Sequence, residues 1–147
     1  IKGTVRTTDK AIRDEILAKI NHMAESMATL YGASISVKIT DGYPPVINTP
    51  FESDMAKKAA INLLGPNCIK PLGRPILGGE DFAFFLQQVP GCFLRFGAAR
   101  PGQENLASHS PRFDFDEEVL RVGARFYDEI VRTYIEYKRN QMDEEKV

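Results

Sequence analysis

Apolar and polar positions alternate over the first seven residues: Ile1, Gly3 and Val5 share one side, Lys2, Thr4 and Arg6 the other. A period of two is the signature of a half-buried strand. The period then changes. Ile12, Ile16, Ile20, Met23, Met27 and Leu30 recur at spacings of three and four, which predicts an amphipathic helix ending near Tyr31. Thr8 or Asp9 is the expected N-cap, because a short side-chain oxygen accepts from the free amides of a helix start, and Gly32 supplies a left-handed stop. Ala33, Ile35, Val37 and Ile39 then alternate with Ser34, Ser36 and Lys38, predicting a second strand. Two strands and one helix bury too little to stand alone, so this unit is expected to need a partner sheet, from another part of the parent chain or from another subunit.

Asp41-Gly42-Tyr43-Pro44-Pro45 interrupts the pattern with two prolines and reads as a stiff linker, dividing the chain into residues 1–43 and 44–147. Thr49-Pro50-Phe51-Glu52 is a strong helix start: Thr49 as cap, Pro50 in the first turn and Glu52 closing a capping box. Met55, Ala56, Ala59, Ala60, Leu63 and Leu64 form its apolar face, and Gly65-Pro66 ends it. Cys68 to Pro75 reads as a short strand and turn. Gly78-Gly79-Glu80-Asp81 leads into a further helix with Phe82, Phe85, Leu86 and Val89 inward, ended by Pro90-Gly91. Cys92 to Phe96 has the form of a compact apolar strand, and Gly97 to Ser110 that of a long polar loop. The last helix is expected from Asp116, with Phe115 and Leu120 as a hydrophobic staple and Val119, Gly123, Phe126, Ile130 and Tyr134 inward; its charged end from Lys138 is expected to fray. The fold class is therefore α/β.

Composition narrows the function more than the fold. With 147 residues, 43% hydrophobic and 27% charged, the chain is of ordinary globular type. A net charge of −1 gives no reason to expect nucleic acid or an anionic membrane as partner, and no apolar run approaches the roughly 20 residues of a membrane span. Cys68 and Cys92 match no metal spacing and read as small buried residues in a reducing cytoplasm. The chain enters its first strand pattern at Ile1 with no initiator methionine, so a processed or cut product, entered mid-domain, is expected.

Chemistry has few carriers. His109, between two serines and before Pro111-Arg112, sits in a constrained turn; it reads either as a metal ligand or proton-transfer group, or as a surface histidine. Arg112, Asp114 and Asp116 could orient it, although both acids suit turn and capping roles better. Gly78-Gly79 would let a ligand approach the backbone at a helix start, while Glu80 and Asp81 argue against phosphate; the alternative is a plain turn. Arg6 could clamp a carboxylate from the polar face of the first strand, or simply be solvated. His22 lies beside the first helix's apolar stripe and reads as structural. No nucleophile–histidine arrangement is visible.

Taken in order, Gly3-Thr4-Val5-Arg6-Thr7, Gly42-Tyr43-Pro44-Pro45, Gly78-Gly79-Glu80-Asp81-Phe82 and Ser108-His109-Ser110-Pro111-Arg112-Phe113-Asp114-Phe115-Asp116-Glu117 resemble the C-terminal part of the aminoacylase and carboxypeptidase superfamily of metallopeptidases. The hippurate hydrolase and auxin-conjugate amidohydrolase branch is the one they resemble most. The resemblance implies a partial, ferredoxin-like lid or dimerisation domain over residues 1–43, joined to the C-terminal portion of a zinc-peptidase-like α/β catalytic domain over 44–147. It implies a metal-dependent amidohydrolase that cleaves the amide bond of N-acyl amino acids, working as a homodimer with two divalent ions, zinc, manganese or cobalt. His109 matches the last metal ligand, Gly78 and Gly79 the turn that meets the substrate carboxylate, and Arg6 a lid arginine reaching the same group. The position of Gly79 is often serine in the family. The remaining ligands and the glutamate base belong to an N-terminal half, so this chain alone is expected to hold no metal and to be inactive. A non-catalytic α/β module pairing through its exposed sheet edge is the alternative.

Overall fold

The computed structural model describes residues 1–102, 104 and 106–144. Among the described residues, four α-helices follow one another: α1 (Lys10–Tyr31), α2 (Pro50–Leu64), α3 (Phe82–Leu86) and α4 (Glu118–Glu144). A single 3₁₀ turn, Pro66–Cys68, follows α2 where the sequence suggested a strand and turn. Among the described residues there is no strand, and this overturns the α/β expectation, including the strand-helix-strand lid. The reason is that alternation specifies only which face is apolar, whereas a strand exists through ladder hydrogen bonds to a neighbour about 4.8 Å away. Residues 1–7 and 33–40 have no such ladder. At 92–96 the ladder position is taken by a side chain: Asn48 Nδ2 donates to the Phe93 carbonyl at 2.9 Å and Phe93 N donates to Asn48 Oδ1 at 2.8 Å.

The chain forms two compact units, one of Ile1–Ile47 with Leu72–Pro90, the other of Asn48–Pro71 with the described residues from Gly91 onward. In the first unit, α1 begins and ends as its sequence dictates. Asp9 Oδ1 accepts from Ile12 N at 3.0 Å, and Gly32 takes φ 59° to cap the last turn. Its flanks carry Lys10–Asp14 and Lys19–Glu15 pairs at helical spacing, and Arg13 reaches Asp41 at 2.6 Å. No residue of α1 is buried, so its Ile12–Met23–Met27–Leu30 stripe lies open. α3 is only five residues long, and the residue it buries is Ala83 rather than Phe85 or Val89, both of which are exposed.

The second unit holds the main core. Ala56 and Ala59 of α2 meet Phe126 of α4, with Ala60, Leu63, Cys92 and Ile130 around them. Small residues on α2 let the aromatic ring of Phe126 approach closely, and Phe96 meets that ring edge-on at 5.5 Å. Further along, Phe51 packs on Tyr137 at 5.1 Å and Asn62 Nδ2 donates to Glu129 at 3.1 Å. The inner face of α4 runs through Phe126, Ile130 and Thr133; Tyr134, expected inward, is exposed. α4 is helical through Lys138 to Glu144, where fraying is expected from the sequence, and Gln141 Nε2 donates to Tyr137 Oη at 2.6 Å one turn back.

The capping box at α2 does not form. Thr49 N donates to the Gly91 carbonyl at 3.0 Å, and Gly91 N donates to Thr49 Oγ1 at 2.9 Å, while the hydroxyl itself turns to Glu52 and the same Gly91 carbonyl. Asn48 and Thr49 thus clasp Gly91 to Phe93, joining the two points at which the chain enters this unit.

Candidate functional site

Within the first unit, Arg6 and the glycine turn come together. Arg6 Nη1 donates to the Leu77 carbonyl at 2.9 Å, so the guanidinium is held beside Gly78. One of five N–H donors is engaged in that contact, and a guanidinium so anchored can present its others to a planar anion. The turn has an aromatic neighbour that the sequence did not point to. A Cβ at Gly79 would stand 2.8 Å from Tyr43 Cδ2, so a larger residue there would displace the tyrosine ring. Tyr43 in turn meets Phe84 edge-on at 5.7 Å. The helix after the turn contributes little: α3 is short, Asp81 is helical in backbone rather than a cap, and Phe84 N is already bonded to the Asp81 carbonyl at 2.9 Å. The field of so few aligned peptides is small.

His109 lies in the second unit, on an exposed turn closed by Ser110 N donating to the Ala107 carbonyl at 2.9 Å. A second turn follows directly, with Phe113 N on the Ser110 carbonyl at 3.0 Å and Arg112 N on Ser110 Oγ at 3.1 Å. Asp116 is the capping acid: its Oδ1 accepts from Glu118 N at 3.1 Å at the start of α4. Asp114 is not a cap for that helix; its Oδ2 pairs with Arg100 Nη1 at 3.1 Å. Arg100 also donates through Nε to the Phe115 carbonyl at 3.1 Å, and Asp116 N donates to the Ala98 carbonyl at 2.9 Å. Arg100 is the residue sequence reasoning missed, and the contact of Tyr43, itself part of a quoted motif, with Gly79 is the pairing it missed. Neither residue belongs to a periodic pattern, and each meets its partner across a stretch of chain with no regular spacing.

Among the described residues, no group of three or more His, Cys, Asp or Glu side chains converges as a metal site would require. A catalytic zinc takes about three protein ligands. His22 is exposed on α1. Cys68 and Cys92 are free and half-buried; Cys92 Sγ receives contacts from Asn48 at 3.3 Å and Ser53 at 3.7 Å.

The profile of peptidase family M20/M25/M40 matches residues 3–133, nearly the whole chain and every motif above. The chain belongs to that family. Among its relatives, a putative amidohydrolase, YhaA, of Bacillus subtilis is 36% identical over 84% of this chain and 31% of its own length. Thermostable carboxypeptidase 1 of Saccharolobus solfataricus is 32% identical over 84% of this chain and 31% of its own length. The uncharacterized hydrolase SH1513 of Staphylococcus haemolyticus is 32% identical over 91% of the chain and 35% of its own length. This M20 chain thus spans about a third of the length of the curated relatives it matches. Among its described residues, no helix is long and apolar enough to cross a membrane.

Proposed function

We propose that this M20 chain is the C-terminal part of a metal-dependent amidohydrolase that cleaves N-acyl amino acids, in the manner of the hippurate hydrolase and auxin-conjugate branch. Residues 1–43 belong to its lid or dimerisation domain and 44–147 to its catalytic domain. The observation that carries this reading is the Arg6–Leu77 contact, which brings a guanidinium to the Gly78-Gly79 turn. A carboxylate needs that combination of a fixed cation and accessible backbone. His109 supplies one metal ligand; bound divalent ions, zinc, manganese or cobalt, would lower the pKa of a water so that it can attack the amide carbonyl. The open stripe of α1 supports a homodimer, and the two free thiols support a cytoplasmic location. The alternative of a module that pairs through a sheet edge loses its basis, because the described residues form no sheet.

The test uses the complete enzyme that contains this chain, assayed on an N-acyl amino acid and on the matching amide without a carboxylate. Arg6→Ala should raise KM at least tenfold for the acid and leave the neutral amide unchanged. An equal loss on both substrates would remove Arg6 from carboxylate binding. His109→Ala should abolish turnover and lower bound metal, and the 147-residue chain alone should turn over neither substrate.

A further inference from the structure

His109 sits on an exposed turn closed by Ser110 N donating to the Ala107 carbonyl at 2.9 Å. The fixing contacts lie at the base of the loop. The C-terminal limb is anchored to α4, because Asp116 both caps the helix through Oδ1 and donates its own amide to the Ala98 carbonyl at 2.9 Å. The N-terminal limb is anchored by Arg100. Its Nε donates to the Phe115 carbonyl at 3.1 Å and its Nη1 pairs with Asp114 Oδ2 at 3.1 Å, so one planar fork grips two successive residues of the opposite limb. Asp114 is itself oriented by accepting from Phe115 N at 2.9 Å. Guanidinium geometry suits this double grip, and a lysine, as a point charge, could keep the ion pair while losing the carbonyl contact.

We propose that Arg100 is a positioning residue for His109: by bridging Asp114 and the Phe115 carbonyl it closes the base of the loop and holds the imidazole-bearing turn in one place against the start of α4. This rests on reading His109 as a metal ligand. A ligand held in place before metal arrives loses less freedom on binding, and removing a residue that orients a ligand typically weakens metal binding about 10–100-fold.

The decisive measurement is amide ¹⁵N relaxation on the full 147-residue chain, without metal, for the parent, Arg100→Ala, Arg100→Lys and Asp114→Asn. In Arg100→Ala the order parameters of His109 and Ser110 should fall from roughly 0.8 to below roughly 0.6, the range of flexible backbone, while α2 and the Phe126 turn of α4 stay rigid. Arg100→Lys should lie between. Unchanged order at His109 would overturn the proposal, and so would a loss spread equally through α2 and α4, which would mark Arg100 as merely structural. In the complete enzyme, Arg100→Ala should need 10–100-fold more metal for half-activity, with kcat recovered at saturation. Failure of the metal reading appears separately, as unchanged metal content in His109→Ala, and leaves the relaxation result standing.

Discussion

Gly79 and Asn48 show how much of this molecule is decided by single close approaches. At Gly79 the ring of Tyr43 occupies the space a side chain would need, 2.8 Å from the position of a Cβ. Serine, frequent at this position in the family that the sequence resembles, would push that ring aside. Gly79→Ser is therefore expected to destabilise by roughly 1 kcal/mol, the low end of overpacking because Tyr43 is exposed and can swing. A double-mutant cycle in urea with Tyr43→Ala checks this: the cost should vanish in the Tyr43→Ala background, and a cost that persists would place its origin in the backbone. Asn48 replaces a strand partner for Phe93 with its own amide, through two bonds of 2.9 and 2.8 Å. Asn48→Ala should lower unfolding free energy by about 1–2 kcal/mol, and Asn48→Asp, which keeps the acceptor for Phe93 N but turns a carboxylate oxygen toward the Phe93 carbonyl, should not restore it at neutral pH. At this scale the sequence was legible for caps and poorly legible for partners. Asp9, Gly32 and Asp116 take the roles their chemistry assigned, since a cap acts on amides two or three residues away. The role of Arg100 and the partner of Tyr43 were invisible, since the groups they meet lie across loops.

Among the elements, α1 and α2 begin and end where local chemistry placed them, while α4 runs further than its charged end suggested. Residues one turn apart brace the helix along its exposed side. Arg132 Nε donates to Asp128 Oδ2 at 2.8 Å, and this hydrogen bond, with the accompanying charge attraction, holds the Asp128 carboxyl below its ordinary pKa of 3.8. A carboxyl whose folded pKa lies below its unfolded one lends stability that is complete above the unfolded value and is lost as pH falls through the folded value. Helical ellipticity and the thermal midpoint, followed from pH 6 to pH 2, should therefore fall slightly more steeply in the parent than in Asp128→Asn below about pH 4, with 1 M salt narrowing the gap. Parallel curves at low salt would show that the pair contributes nothing. The same locality explains the miss at α2. Thr49 and Glu52 have capping-box spacing, but Gly91, more than 40 positions away in sequence, claims the backbone of Thr49.

For the molecule as a whole, the buried side chains among the described residues, Ala83 apart, lie in the second unit. Phe126 is 3% exposed against Ala56 and Ala59, whereas α1 buries no residue. Hydrogen exchange should therefore be slowest in the middle of α2 and α4 and fast throughout α1, because an unpacked helix opens with little cost. Phe126→Ala should remove about 3–5 kcal/mol and abolish the slow amides of α2 and α4 together. Retention of slow exchange in α2 would mean that its protection comes from elsewhere. The sequence by itself determined the approximate helix positions, the Asp9, Gly32 and Asp116 caps, the apolar stripe of α1 and, through four short motifs in order, the M20 family, because each of these depends on neighbours within a few residues or on the residue types alone. Tertiary structure decided that the alternating segments are not strands, that Asn48 and Thr49 clasp the chain at Gly91–Phe93, that Gly79 yields its space to Tyr43, and that Arg100 closes the loop of His109. Each of those is settled by which distant group arrives to fill a hydrogen-bonding position or a volume, and a one-dimensional pattern carries no term for arrival.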